Sequence, residues 1–382
     1  MLYYAQALAN KNTQVYLLTC SSSPINHNSF IEIYPSVFIL KNNNITQNFF
    51  GTFRFVINLF KFSQESVYEK SFIFYPSPLV YLEIIALFYL KVIKKCSVYY
   101  ELNEVRKYSS TFHEKTSLKH PKYSIKKIIY TSVFSILEFF LRYYDGLICI
   151  STSIETYGKK FNHSTIRIPI LTNPDLKKEL SSNIYSKKES FNIGFSGSIH
   201  PVKENLLNFF KVLGELNKNN YDFTFNLCGH IKKEHYNLLL EQIAEDFNIK
   251  EHINYYGNLN AKELSSFLNQ QQLLVIPRGY TLQNNFGFST KLSDYLDYGK
   301  LILVTDISDN KLFIKDGLNG FIVPADDNDK MYDKLIYIIN NYDNIYDDIH
   351  KNANDTSRNN FYYRNFYEVL FNFLFKPVSH SA

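Results

Sequence analysis

An α/β fold of two doubly wound, parallel-sheet domains is what this sequence predicts, on three observations. Beyond residue 191, short β-branched or aromatic runs alternate with helical ones across short links. The first half keeps the same rhythm less regularly. And 382 residues are too many for one ordinary hydrophobic core but suit two. Strand–helix alternation of this kind means βαβ units, with helices on both faces of a parallel sheet.

In the second half the expected order is a strand over 191–199, then a helix opening near Lys203. A strand over 223–231 and a helix over 233–247 follow, then a strand over 253–257 and a helix over 261–271. Next come a strand over 273–277, a helix near 289–298, a strand over 301–307, and 320–324 leading into a helix over 328–342. In the first half, 14–19, 72–75, 97–102 and 146–151 read as buried strands, and 124–143 as a long amphipathic helix. The polar stretch 173–190, with Pro174 near its start, reads as the link between halves. A polar segment from Asp343 leads to a last helix over 361–375. The expected domains are 1–180, 186–355, and a C-terminal helix in 356–382 packing back on the first domain.

With 45% hydrophobic and 20% charged residues, the chain has a globular composition, not a disordered one. Its four cysteines, Cys20, Cys96, Cys149 and Cys228, are scattered without metal-ligand or disulfide spacing, as buried thiols in a reducing cytoplasm would be. The opening residues, which lack a basic stretch and a cleavage site, do not read as a secretory signal. The run 79–93 is short of a membrane span and is interrupted by Glu83 and Lys91. Charge is uneven: residues 1–180 hold 21 Lys and Arg against 12 Asp and Glu, while the remainder is mildly acidic. That asymmetry suggests a peripheral contact of the first half with an anionic membrane or a phosphorylated acceptor. The 124–143 helix is the better interfacial candidate. No basic stripe or binding motif supports nucleic acid.

Two segments carry chemistry. In 288–299, Ser289 and Thr290 are good helix N-cap residues and Gly299 suits the residue past the helix end. A helix start offers free N–H groups and partial positive charge, the setting in which a diphosphate is held. Ser289, Thr290 and Lys291 add donors, and Asp294, one turn on, can accept from a ribose. In 197–203, Gly197 permits close backbone approach at the carboxyl end of a strand, where open α/β sheets bind ligands, and Ser198 follows it. Lys203 suits an anion placed between it and the helix start. The plainer readings are a capped surface helix with a solvated aspartate, and a solvated lysine. Asp327-Asn-Asp329 has metal-site spacing but stands where a helix needs a cap, and the ten histidines show no ligand spacing.

The order Gly197…Lys203, Gly229, Gly257-Asn-Leu, Pro277-Arg278, Lys291-Leu-Ser-Asp-Tyr-Leu-Asp-Tyr-Gly-Lys300 and Lys315-Asp-Gly-Leu-Asn-Gly320 resembles the family-4 group of retaining GT-B glycosyltransferases. The resemblance implies two Rossmann-like domains facing across a cleft, the second binding a nucleotide-activated sugar and the first an acceptor. By position, Lys203 then contacts the diphosphate, Ser289 and Thr290 line the phosphates, and Asp294 takes the place of the ribose-binding Glu. Arg278 resembles an arginine that some members carry before the donor loop, and Gly197, Ser198 and Lys291 complete the donor site. The first Glu of the family's pair falls on Phe286, and Ser198 stands where many members have Arg. In the first domain, Asn103 occupies the place of a His near the transferred sugar, with Glu101 and Glu104 beside it. Asn103 and Glu104 are the candidate catalytic residues, although Asn cannot act as acid or base. Ile148-Cys-Ile-Ser-Thr152 resembles the strand leading to a Ser in the cleft.

What the resemblance implies, then, is a metal-independent, cofactor-free, cytoplasmic enzyme. It would move a sugar from a nucleotide diphosphate to a glycan or lipid-linked acceptor, with retention, in bacterial surface polysaccharide assembly. The chain opens on what looks like the first helix of such a domain, and the family's preceding strand and glycine loop do not appear. A truncated gene product or fragment would explain this; a non-catalytic or inactive homologue is the alternative.

Overall fold

The computed structural model describes residues 2–9, 15–19, 37–41, 71–75, 80–108, 121–175 and 190–375. These form two compact units. The first comprises Met1–Ile150, Ile154–Leu171 and Tyr363–Ala382, and the second Ser151–Ser153 and Thr172–Tyr362. Cys20 and most of the 173–190 link lie outside the described residues.

The first unit begins with helix Leu2–Leu8. Strands β1 (Val15–Thr19) and β2 (Val37–Lys41) pair in parallel. A second parallel sheet has the order β3 (Ser71–Phe74), β4 (Ser97–Leu102), β5 (Gly146–Cys149), β6 (Thr165–Arg167). β4 and β5 are almost wholly buried, as strands covered on both faces must be, which explains their continuous apolar runs. The expected 124–143 helix is Pro121–Phe140 with a closing 3-10 turn to Tyr143. The 79–93 run is a helix over Val80–Phe88 that widens to π geometry over Tyr89–Ile93.

The second unit carries one six-stranded, all-parallel sheet. Its strands are β7 (Phe191–Ser196), β8 (Phe223–Cys228), β9 (Ile253–Tyr255), β10 (Leu273–Ile276), β11 (Leu301–Thr305) and β12 (Phe321–Val323), in the order β12-β11-β10-β7-β8-β9. The chain winds outward from β7 to β9, then returns to β7's other side and winds outward again. That reversal between β7 and β10 is the topological switch point, where the βα loops diverge and leave room for a ligand. Helix Leu206–Lys218 buries Phe209, Phe210 and Leu213 against β7 and β8.

Two expectations need correction. The helix expected near Lys203 starts at Leu206, and Lys203 sits in the turn before it. The polar segment from Asp343 is no loop, because a single helix runs over Asn328–Asn360. Its buried stripe continues through Tyr342, Ile349, Ala353 and Ser357, a helical spacing that the surrounding Asp and Asn residues conceal. Asp327 caps this helix, its carboxylate accepting from Lys330 N at 3.0 Å.

Candidate functional site

The loops leaving β7 and β10 meet the start of one helix at the carboxyl edge of the second sheet. Gly197 follows β7 with φ +118°, a conformation that favours glycine. A Cβ there would lie 3.0 Å from Lys291 Cε, so the missing side chain lets the lysine lie across the loop. Helix Thr290–Asp297 is anchored to the same strand end by Tyr295. Its hydroxyl accepts from Ser196 N at 2.8 Å and lies 3.2 Å from Ser196 Oγ.

Ser289 is the N-cap residue as expected, yet its side chain makes no cap bond. Its Oγ is buried with no hydrogen-bond partner among the described residues. A buried hydroxyl at an open helix start is a donor waiting for an acceptor. Gly299 lies past the helix end with φ +59°, as its place in the motif required. Thr290 and Asp294 are exposed on this helix, as is Ser198 on the β7 loop.

The cations are held by a residue the sequence reading did not single out. Glu204, 1% exposed, accepts from Arg278 Nε at 3.1 Å and Arg278 Nη2 at 2.9 Å, while Lys291 Nζ lies 3.1 Å from its Oε2. Burial raises the Glu204 carboxyl's pKa, but Lys291 and Arg278 outweigh burial and hold it well below the usual carboxylate range. Burial brings Lys291 down to about 8, helped by the positive charges of Arg278 and Lys203 and opposed by Glu204. Lys291 also lies over the Phe195 ring, 4.8 Å from its centroid. Lys203 is half-buried in the adjoining turn, its backbone carbonyl taken by Asn284 Nδ2 at 2.8 Å. Seven of the eight expected donor-side residues therefore sit in the β7 loop and turn or at the helix start, and Arg278 joins them from the end of β10. Only the Glu immediately after Lys203 hinted at a counter-charge for Arg278 and Lys291.

The expected catalytic pair belongs to the first unit. Asn103 is half-buried just past β4, beside Tyr75, while Glu104 is exposed. Glu101, the last-but-one residue of β4, is buried, and burial raises its pKa. Ser151 donates to Phe286 O at 2.7 Å. Among the described residues no group of three or more His, Cys, Asp or Glu side chains gathers that could hold a metal ion.

The family profile for glycosyl transferases group 1 matches residues 177–356. No curated protein sequence matches the chain. Among solved structures, a glycosyltransferase from Rickettsia africae superposes with a TM-score of 0.68 at 13% identity, covering 98% of this chain and 94% of that one. Sucrose-phosphate synthase from Thermosynechococcus elongatus gives 0.68 at 13% identity, covering 96% and 90%. HepE of Anabaena, solved with UDP and glucose, gives 0.68 at 13% identity, covering 98% and 95%. At such identities the likeness is one of fold. Residues 177–356 thus match the glycosyl transferases group 1 profile, and the chain has the two-unit parallel α/β fold of the GT-B glycosyltransferases on which it superposes.

Proposed function

We propose that this protein moves a sugar from a nucleotide diphosphate donor to a glycan or lipid-linked acceptor, with retention at the transferred carbon. The observation that carries the reading is the open start of helix Thr290–Asp297, with the unpartnered Ser289 hydroxyl and three cations gathered at the sheet's switch point. Free N–H groups, a hydroxyl and guanidinium and ammonium groups stabilise negative charge as it builds on a departing diphosphate. Such a site does the work of a metal ion, so transfer needs no metal. Asp294 takes the ribose, and Gly197, Ser198 and Thr290 bring backbone and hydroxyl donors to the phosphates. UDP in the HepE complex supports a uridine donor.

Asn103 and Glu104 serve the acceptor side from the first unit. Asn103 orients a sugar hydroxyl, since an amide donates and accepts but carries no proton to transfer. The cellular setting we infer is cytoplasmic assembly of bacterial surface polysaccharide.

Calorimetric titration with UDP and UDP-sugars tests donor binding. Lys203→Ala and Ser289→Ala should each weaken it at least about tenfold, the worth of one charge-assisted hydrogen bond. Unchanged affinity in both variants would sink the phosphate assignment. A protein that binds donor but neither transfers nor hydrolyses it would instead favour a non-catalytic binding subunit, the reading to which Phe286 points.

A further inference from the structure

Two neighbouring helical elements of the first unit leave apolar side chains in water. On Val80–Phe88 and its continuation Tyr89–Ile93, Ile85, Phe88 and Val92 are 56%, 42% and 66% exposed. On Pro121–Phe140, Ile129, Ile136 and Phe139 are 54%, 53% and 44% exposed. Spacings of three, four and seven residues put each set on one face of its helix. The two stripes join, because the Phe88 ring lies 5.7 Å from Phe140 and 6.1 Å from Tyr143, and Phe139 lies 6.0 Å from Tyr143. Single exposed isoleucines are ordinary; a joined stripe of them marks a surface that meets something.

Charge indicates what it meets. Three acidic groups nearby already have partners: Glu83 pairs with Arg106, Glu138 with Lys107, and Asp145 with Lys91. Among the described residues no ion pair holds Lys94, Lys95 or Arg142, and the Arg142 guanidinium carbon lies 3.9 Å from the centroid of the Phe139 ring. The patch is therefore apolar with a basic rim.

We propose that this face docks on an anionic lipid surface. The isoleucine and phenylalanine side chains enter the headgroup boundary, and Lys94, Lys95 and Arg142 meet lipid phosphates. A second copy of the chain is the poorer occupant, since residues 1–180 carry 21 cationic against 12 acidic side chains and like faces repel. No helix among the described residues is long and apolar enough to cross a membrane, and the contact proposed is interfacial. It does not depend on the donor chemistry.

Co-sedimentation of the full chain with phosphatidylcholine vesicles, and with phosphatidylcholine–phosphatidylglycerol vesicles, tests this. We expect binding to the mixed vesicles, weakened by salt. Lys94→Gln and Lys95→Gln should each reduce it about fivefold. The double variant Ile129→Glu, Ile136→Glu should reduce it at least about tenfold while thermal unfolding and UDP binding stay unchanged, both sites being exposed. Failure to bind mixed vesicles, or equal binding by the double variant, would overturn the proposal. A dimer in sedimentation velocity that Ile136→Glu dissociates would likewise overturn it, in favour of a second copy.

Discussion

Lys291 Nζ and Glu204 Oε2 lie 3.1 Å apart inside the second unit, both side chains nearly inaccessible to water. Arg278 binds the same carboxylate through both oxygens. The donor-side cations are thus pre-positioned by a buried anion. A lysine in the first turn of a helix opposes the helix dipole, and Glu204 offsets that cost.

Removing the anion leaves two buried cations facing each other. Glu204→Ala should lower stability by about 3–5 kcal/mol, the cost of breaking a buried pair from one side. Urea unfolding measures it, and an unshifted midpoint would show that the triad contributes nothing to the fold.

Donor binding should depend on pH through Lys291. Burial lowers its pKa from 10.5 to about 8. Below that value it is cationic and attracts a diphosphate; as pH rises through about 8 it loses its proton and affinity should fall. An anion at the site favours the charged form, so binding near pH 8 should take up a proton, visible as calorimetric heats that vary with the buffer's ionisation enthalpy. Lys291→Met should abolish the step. For folding the sign is opposite. Between about 8 and 10.5 the unfolded chain holds a proton that the folded one has shed, so this group makes folding more favourable as pH rises.

Gly197→Ala should cost about 1–3 kcal/mol, because φ +118° strains any other residue and the new Cβ presses on Lys291. UDP affinity should drop with it. A variant as stable and as tight-binding as the parent would contradict the close-approach role.

Tyr295→Phe removes the hydroxyl that accepts from Ser196 N at 2.8 Å and leaves a buried N–H unpaired. The expected loss is about 1–3 kcal/mol in denaturant unfolding. An unchanged midpoint would mean the helix is held to β7 by packing alone.

Much of the second unit was legible in the sequence because its signals are local. Apolar runs mark β7, β8, β10 and β11, and Asp327 and Gly299 mark a helix start and a helix end. β6 went unseen, since Thr165–Arg167 is only three residues long and partly exposed, with no apolar run to mark it. Helix Thr152–Gly158 hid behind the strand before it. The long Asn328–Asn360 helix was cut short because its apolar stripe thins to one buried residue per turn or two.

The sequence by itself determined the strand–helix alternation, the helix start at Ser289 and Thr290, and the glycine at 197, each fixed by residues within a turn or two. Tertiary structure alone decided that β10 lies beside β7 on the side away from β8. It also decided that Arg278 reaches a carboxylate 74 positions earlier. The reason is physical: propensity and capping act between near neighbours, whereas strand order and buried ion pairs follow from how whole βαβ units pack to bury their faces. Where a cation goes inside a protein depends on which anion the fold brings to it.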